Sequence, residues 1–218
     1  PSVVSANPAA GFSIVSYKGN SIIGSTVGHG LNAAPDVVIY KGRQEGLPQY
    51  FASWGVYHSS LGATQRLWLN NTGAAQTAGG GDWINNTEPT DSVFTVGEYY
   101  INWTGRDFIA YCFAEVAGFS KFGSYTGTGI SGGNKQTTGF EPAFLLIKKT
   151  NTVQDWYILD NKRDSTNPNY NILSPNKSDA EIVLPYGINF LSDGFDFERG
   201  NFNDSGDTYI YMAFANQF

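Results

Sequence analysis

An internal repeat constrains the fold of this chain more than any other feature. The segment Pro35–Lys41 (PDVVIYK) returns as Pro142–Lys148 (PAFLLIK), and Asn102–Ala114 (NWTGRDFIAYCFA) returns as Asn203–Ala215 (NDSGDTYIYMAFA). Self-similarity at a nearly fixed spacing marks a repeated structural unit. The sequence therefore predicts a tandem duplication of a unit of about 105 residues within the 218 residues of the chain. The predicted parts are an N-terminal lead-in (1–10), a first repeat (11–117) and a second repeat (118–218).

The composition predicts that these repeats are built from β-strands. The 26 glycines and nine prolines make up about a sixth of the chain, and each costs a helix interior about 1 or about 3 kcal/mol. The apolar segments are short, β-branched or aromatic, and bounded by turn residues, which is the pattern of strands. We therefore predict an all-β fold, an antiparallel β-sandwich or jelly-roll-like architecture in which the two repeats pack together.

Twelve segments carry this strand pattern, six in each repeat. Val37–Tyr40 and Phe144–Ile147 are apolar on both faces, which is typical of central strands. Only Ser59–Leu69 and Ser178–Leu184 have a sequence that could hold a helical turn. The twelve candidate strands are Phe12–Lys18, Asp36–Tyr40, Trp54–Tyr57, Arg66–Asn70, Val93–Val96, Phe108–Ala114, Ser120–Tyr125, Ala143–Lys148, Trp156–Leu159, Tyr170–Leu173, Ile188–Leu191 and Tyr209–Ala215.

Charge and cysteine content exclude several classes of partner and site. The net charge is −6, and the 13 lysines and arginines form no cluster, so a nucleic-acid partner is not expected. No apolar run approaches the roughly 20 residues that a membrane span needs, so membrane insertion is not expected either. The single cysteine, Cys112, excludes an intrachain disulfide and a cysteine metal cluster. Because the sequence begins at Pro1 without a Met, we expect a mature product or a piece of a longer protein.

Several of the repeated strings resemble a module that recurs in structural proteins of bacteriophages. The similar modules are found in tail fibres of marine phages, including cyanophages, often beside concanavalin-like lectin modules. The resemblance covers Gly11–Phe218. The strings that carry it are Gly28–Leu31 (GHGL), Pro35–Lys41 (PDVVIYK), Trp54–His58 (WGVYH), Tyr111–Val116 (YCFAEV), Gly118–Gly127 (GFSKFGSYTG) and Tyr209–Ala215 (YIYMAFA).

The resemblance implies a protein of the virion surface, a tail fibre or adhesin that binds a glycan or protein of the host non-covalently. It also implies contacts with other virion subunits and a homo-oligomer, with a trimer favoured. It provides no catalytic residues, and neither an enzyme nor a cofactor is expected. Two alternatives stay open: a purely structural virion component, such as a capsid decoration or fibre spacer, and a polysaccharide depolymerase.

Aromatic residues that we expect in exposed loops are the candidate ligand-binding residues. Aromatic rings stack on the apolar faces of sugars, while amide and hydroxyl groups supply hydrogen bonds. Loops of a dozen residues are uncommon unless they serve a function. Trp54 and Trp156, which stand at equivalent positions of the two repeats, are instead predicted to be core residues. The candidates are Tyr50, Phe51, Trp83, Tyr99, Tyr100, Trp103 and Tyr186.

Other residues with catalytic or metal-binding chemistry have simpler explanations. Asp196 and Glu198 would share one face of a strand, as the carboxylates of jelly-roll glycosidases do, but no third carboxylate completes that pattern, so a solvated strand face is the favoured interpretation. Asn201–Asp207 resembles a calcium loop, yet it lacks the twelfth-position Glu; a turn before the last strand is the favoured interpretation. His29 and His58 have no ligand-type neighbours at metal-binding spacing. No catalytic or metal site is therefore predicted.

Overall fold

The computed structural model describes residues 2–43 and 53–216, which form an almost entirely antiparallel β-structure. This confirms the predicted all-β fold class. The chain divides into two compact units: unit 1 is Pro1–Leu69 with Ala75–Glu115, and unit 2 is Asn70–Ala74 with Val116–Phe218. The short segment Asn70–Ala74, which lies within the first half of the sequence, therefore belongs to the second unit.

Unit 1 contains a seven-stranded sheet and a separate strand pair. The order in the sheet is β1-β2-β9-β4-β5-β6-β7, and β3 pairs with β8. A 3-10 helix, Pro8–Ala10, joins β1 to β2. The strands are β1 (Ser2–Asn7), β2 (Phe12–Lys18), β3 (Ser25–Gly28), β4 (Val37–Gly42), β5 (Trp54–His58), β6 (Gln65–Trp68), β7 (Gln76–Thr77), β8 (Val93–Val96) and β9 (Asp107–Phe113).

Unit 2 contains two four-stranded sheets. Their orders are β10-β17-β12-β13 and β11-β16-β15-β14, and a 3-10 helix, Gly200–Phe202, precedes the last strand. The strands are β10 (Ser120–Thr126), β11 (Gln136–Thr137), β12 (Phe144–Lys149), β13 (Trp156–Asp160), β14 (Asn169–Ile172), β15 (Ile182–Leu191), β16 (Gly194–Phe197) and β17 (Thr208–Phe214).

The two units share the order of their main strands. The run β2-β9-β4-β5 of unit 1 has the same succession along the chain and the same antiparallel pairing as β10-β17-β12-β13 of unit 2. The pair β3-β8 corresponds in the same way to β11-β16. Unit 1 alone adds an edge strand, β1, outside β2, whereas unit 2 extends its second sheet with β14 and β15.

One set of hydrogen bonds fixes the corner that follows the first main strand of unit 1. The hydroxyl of Tyr17 donates to the carbonyl of Ile101 (2.7 Å). The buried side chain of Asn102 accepts from the N–H of Asn20 (3.0 Å) and donates to the carbonyl of Ile22 (3.2 Å). The loop before β9 is thereby attached to the chain that leaves β2. We call these bonds the asparagine lock.

The same lock recurs in unit 2. The hydroxyl of Tyr125 donates to the carbonyl of Phe202 (2.7 Å). Asn203, also buried, accepts from the N–H of Thr128 (2.8 Å) and donates to the carbonyl of Ile130 (2.9 Å). Each hydrogen-bond partner in unit 2 occupies the sequence position that corresponds to its counterpart in unit 1. Two different sequences therefore form the same set of hydrogen bonds at this corner.

A glycine makes each lock possible. A Cβ atom at Gly19 would lie 2.3 Å from the carbonyl oxygen of Trp103, and one at Gly127 would lie 2.1 Å from that of Asp204. Neither distance is compatible with a side chain, so the two backbones can approach only where the residue has none.

Each unit encloses its own aromatic core. In unit 1 the ring of Tyr17 stacks on Phe108, with 5.5 Å between ring centroids, and lies edge-on to Phe94 at 5.8 Å. In unit 2 the ring of Tyr125 stacks on Tyr209 at 4.8 Å and contacts Phe197 at 4.7 Å. These rings are buried, so the tyrosine of each lock also contributes to the core.

Several strand predictions need correction. Residues 2–7, expected as a lead-in, form β1; all its side chains are exposed, so the sequence lacks the alternation that marks a half-buried strand. The helical turns that Ser59–Leu69 and Ser178–Leu184 could have held are absent from the described chain. Gly62, with φ +76°, ends the turn after β5, and Ile182 instead pairs with Ile172 of β14.

A buried lysine holds the short segment Asn70–Ala74 in unit 2. The ammonium of Lys148 donates to the carbonyls of Lys149 (2.7 Å), Gln154 (2.9 Å) and Thr72 (3.3 Å). Burial lowers the pKa of Lys148 to about 8, although the nearby carboxylate of Asp155 opposes this shift. The cation is therefore held by carbonyl dipoles and lacks contact with water.

We expect both locks to be major contributors to stability. Asn102→Ala and Asn203→Ala should each lower the free energy of unfolding by at least about 2 kcal/mol, because each leaves buried backbone groups without a partner. Chemical denaturation followed by circular dichroism measures this. Thr104→Ala, an exposed change in the same loop as Asn102, should cost less than about 0.5 kcal/mol. Equal effects of Asn102→Ala and Thr104→Ala would contradict the lock.

Lys148 should give the stability a specific pH dependence. Its pKa is about 8 in the folded protein and 10.5 in the ordinary, unfolded state, so the unfolded chain binds more protons between these values. The free energy of unfolding contributed by Lys148 therefore rises with pH in this window, by at most about 1.4 kcal/mol per pH unit. Denaturation of the parent and of Lys148→Met between pH 7 and pH 10 tests this. A stability difference that does not change with pH would contradict it.

Candidate functional site

The prediction that Trp83 is an exposed loop residue is wrong. Its side chain is fully buried, and its ring lies edge-on to Tyr40 (5.2 Å) and to Trp68 (5.8 Å). A Cβ atom at Gly55 would lie 2.3 Å from the Trp83 ring, so this glycine makes the space for the indole. The sequence around Trp83 is polar and glycine-rich, but packing against residues distant in the chain decides its burial.

The remaining tryptophan and aromatic predictions have mixed outcomes. Trp156 is buried, as expected of a core residue. Trp54 is only half-buried and stacks on Tyr111 at 6.3 Å, with the ammonium of Lys41 at 5.5 Å, so its assignment to the core is wrong. The candidates Tyr50 and Phe51 lie outside the described residues.

Three candidates share the loop that joins β8 to β9 (97–106). Tyr99 is 49% exposed, whereas Tyr100 and Trp103 are half-buried and pack against the core of unit 1. The start of the loop is fixed by the N–H of Gly97, which donates to the carbonyl of Trp83 (2.6 Å). The N–H of Asn102 donates to the carbonyl of Tyr99 (3.0 Å), so the loop presents Tyr99 from a fixed backbone.

Two arginines cover the half-buried rings of this loop. The guanidinium carbon of Arg66 lies 4.5 Å from the ring centre of Tyr100, and that of Arg106 lies 5.4 Å from Trp103. Cation–π contacts of this kind are typically worth about 0.5–1 kcal/mol at exposed sites. They hold the two rings in place, and Tyr99 is left as the most exposed ring of the loop.

Tyr186 lies beside a narrow cleft in unit 2. The residue is 45% exposed, and its ring crosses Gly200, where a Cβ atom would come within 2.9 Å. The φ angle of Gly200 is +72°, so both its backbone conformation and its lack of a side chain fit the contact. Leu184, Pro185 and Asn201 complete the cleft, whose volume is about 100 Å³.

The two carboxylates considered as a glycosidase-like pair, Asp196 and Glu198, form hydrogen bonds with neighbouring segments. Glu198 accepts from the N–H of Gly187 (3.0 Å) and from the hydroxyl of Tyr170 (3.4 Å). Asp196 accepts from the N–H of Asn134 (3.3 Å). These contacts assign both carboxylates to the support of neighbouring loops. The sequence did not reveal Tyr170 as the partner of Glu198, because β14 and β16 are separated in the sheet by β15.

An internal cation occupies the loop that resembles a calcium site. The ammonium of Lys149 lies 2.7 Å from the carboxylates of both Asp204 and Asp207. Burial alone would lower the pKa of Lys149, but its hydrogen bonds to these two aspartates outweigh burial and raise it. The turn interpretation of this loop agrees with these contacts.

Both histidines and the cysteine are buried structural residues. The Nδ1 of His29 accepts from the N–H of Leu31 (3.2 Å), and the Nδ1 of His58 accepts from the N–H of Ser60 (3.2 Å). Burial raises the pKa of Cys112 to about 12, which keeps the thiol protonated. Within residues 2–43 and 53–216, no group of three His, Cys, Asp or Glu side chains could hold a metal ion.

A second concave site lies in unit 1 beside the asparagine lock. Its volume is about 210 Å³, and its lining includes Lys18, Asn20, Ser25, Thr26 and Asn102. None of the residues predicted to bind a ligand lines this site, although the asparagine that begins both NWTG (Asn102) and NDSG (Asn203) was a usable signal. Both sites are smaller than the roughly 300–1,000 Å³ that encloses a drug-sized ligand, so each fits only part of a larger molecule.

Within residues 2–43 and 53–216, the structure thus defines an all-β protein of two units, each with a small concave site and one strongly exposed tyrosine beside the connection that leads to its last strand. The chain belongs to a family described as a domain of unknown function, DUF7483, whose model matches residues 1–217. No curated protein and no solved structure matches the chain.

Each of the two helices in the described part of the chain is three residues long, which is too short to cross a membrane.

Proposed function

We propose that this protein is an attachment module on the surface of a phage virion, and that it binds a host glycan or protein non-covalently. The observation that carries the proposal is the placement of the two most exposed tyrosines among the residues that the structure describes. Tyr99 lies on the connection that leads from β8 to the last strand of unit 1. Tyr186 lies across Gly200, which belongs to the corresponding connection from β16 to β17.

The chemistry of these surfaces suits a carbohydrate. A tyrosine ring offers a flat apolar face for stacking on a sugar and a hydroxyl for hydrogen bonding. Around Tyr186 the cleft adds the amide of Asn201, and around Tyr99 the loop adds the rings of Tyr100 and Trp103. The small volume of the cleft gives weak contacts, which a virion multiplies through copy number. The homo-oligomer, with a trimer favoured, is part of this proposal.

We further infer that the two units arose by duplication. The shared strand order and the two asparagine locks support this, because unrelated halves would not repeat the same buried bonds with partners at matching positions. In an attachment protein, such a duplication doubles the number of contact sites on each chain.

A purely structural role in the virion is the second candidate. The observation that favours it is β1, a six-residue edge strand with no charged residue and no proline. Natural proteins usually protect such edges, because an open edge pairs readily with another chain. A structural role predicts contacts between subunits and no adsorption to cells.

The attachment proposal predicts that the exposed tyrosines control adsorption. Tyr99→Ala and Tyr186→Ala should each weaken binding by about threefold to tenfold, the range expected when an aromatic contact is lost, and the double variant should lose more than either. Binding of labelled protein to cyanobacterial and other marine bacterial cells, and to their purified surface polysaccharides, measures this. Val153→Ala, which removes another exposed apolar side chain in unit 2, is the matched control.

The possible outcomes separate the candidates. Adsorption by the parent that both tyrosine variants retain would refute the assignment of the site. Absence of adsorption by the parent to every cell type and polysaccharide would refute attachment and favour the structural role. Release of new reducing ends from a polysaccharide would instead support a depolymerase, and loss of this release in Asp196→Asn or Glu198→Gln would identify its carboxylates.

A further inference from the structure

The side chain of Asn134 in unit 2 fills a position beside the asparagine lock. Its Nδ2 donates to the carbonyl of Thr126 (3.0 Å) and to Oδ1 of Asn203 (2.8 Å). Its Oδ1 accepts from Nε2 of Gln136 (3.0 Å). Since Asn203 also accepts from the N–H of Thr128, both lone pairs of its carboxamide oxygen are used.

The corresponding position of unit 1 is occupied by a shorter side chain. Ser25 is the residue of β3 that pairs with Val96 of β8. Continuing the register of β11 with β16 places Asn134 opposite Phe197. Val96 and Phe197 each stand six residues before the lock asparagine of their unit. Ser25 is therefore the counterpart of Asn134.

Where unit 2 has this carboxamide, unit 1 has the cavity of about 210 Å³, which both Ser25 and Asn102 line. Within the described part of the chain, Oδ1 of Asn102 accepts one hydrogen bond, from the N–H of Asn20 (3.0 Å). A carboxamide oxygen can accept two. The lock of unit 1 thus keeps one acceptor site that the protein itself fills in unit 2.

We propose that this cavity of unit 1 is a binding site for a small neutral ligand, whose amide N–H or hydroxyl donates to Asn102 as the Asn134 carboxamide donates to Asn203. In unit 2, the hydrogen bond from Asn134 to Asn203 is the equivalent of the bond that the ligand would donate to Asn102. The proposal does not depend on the attachment function, since the cavity uses neither Tyr99 nor Tyr186.

The lining of the cavity determines the class of ligand. Lys18 is the charged residue of the lining, and its ammonium pairs with Asp107 at 3.3 Å, so the site offers no unopposed charge to an ion. Ser25, Thr26 and Asn20 provide hydroxyl and amide groups. At about 30 Å³ per water, the volume equals roughly seven waters, which suits a monosaccharide or the end of a longer glycan. An N-acetylated amino sugar combines the required amide N–H with hydroxyl groups.

Titration of the full chain with three probes, followed by ¹H–¹⁵N NMR, tests the proposal. The probes are N-acetylglucosamine, glucose and acetamide. We expect N-acetylglucosamine to shift the amide signals of Asn20, Ser25 and Asn102, including the side-chain amide of Asn102. A response to acetamide as well identifies the amide as the donor, and a response to glucose instead identifies a hydroxyl. If none of the three probes shifts these signals of unit 1, the proposal is overturned.

A pair of reciprocal variants makes the test specific. Ser25→Asn introduces the side chain that fills the position in unit 2, and should weaken binding at least about tenfold without lowering the melting temperature. Ser60→Asn, an exposed change outside the cavity, should bind like the parent. Unchanged binding by a folded Ser25→Asn variant would overturn the proposal.

Asn134→Ser provides the converse test, because it is expected to create a binding site in unit 2 and not to remove the one in unit 1. It should open the position in unit 2 and add probe-induced shifts at Thr128 and Asn203. Shifts confined to unit 1 in this variant would contradict the equivalence on which the ligand class rests. Tyr99→Ala should leave probe binding unchanged, so a failure of this proposal and a failure of attachment are distinguishable.

Discussion

The burial of an asparagine side chain at the corner of each unit is the constraint on which the rest of the structure depends. A buried carboxamide costs free energy unless its donors and acceptors are bonded, and both Asn102 and Asn203 are bonded to backbone groups from a distant part of the chain. These bonds fix the end of the first main strand against the loop that leads to the last strand. The neighbouring glycines, Gly19 and Gly127, allow the close backbone approach.

The locks also connect the fold to the candidate sites. Asn102 lies on the same loop as Tyr99, and Asn203 follows the 3-10 helix that begins at Gly200, beneath the ring of Tyr186. The exposed tyrosines are therefore presented by backbone that the core of each unit holds in place. A rigid presentation reduces the entropy lost when a ligand binds, which matters most where each contact is small.

The strands that the sequence predicted correctly are short apolar segments bounded by turn residues. The strands β2 and β8 have the predicted bounds, because each is a short β-branched and aromatic run that a glycine follows directly. The edge strand β1 could not be recognised, since none of its side chains is buried. Trp83 shows the other limit: its burial depends on Gly55, a residue nearly thirty positions away, and no local pattern reports such a contact. The cavity beside Asn102 accompanies a difference between the two units, Ser25 against Asn134, which becomes meaningful only when the strand register of both units is known.

Native-state hydrogen exchange of the unmodified protein tests the central claim most directly. If each lock stabilises its own unit, the backbone amides of Gly19 and Gly127 and the side-chain amides of Asn102 and Asn203 exchange only through the largest openings of that unit. Their exchange should then be as slow as that of the central strands β4 and β12. Exchange of these groups at the rate of the exposed loops would contradict the account.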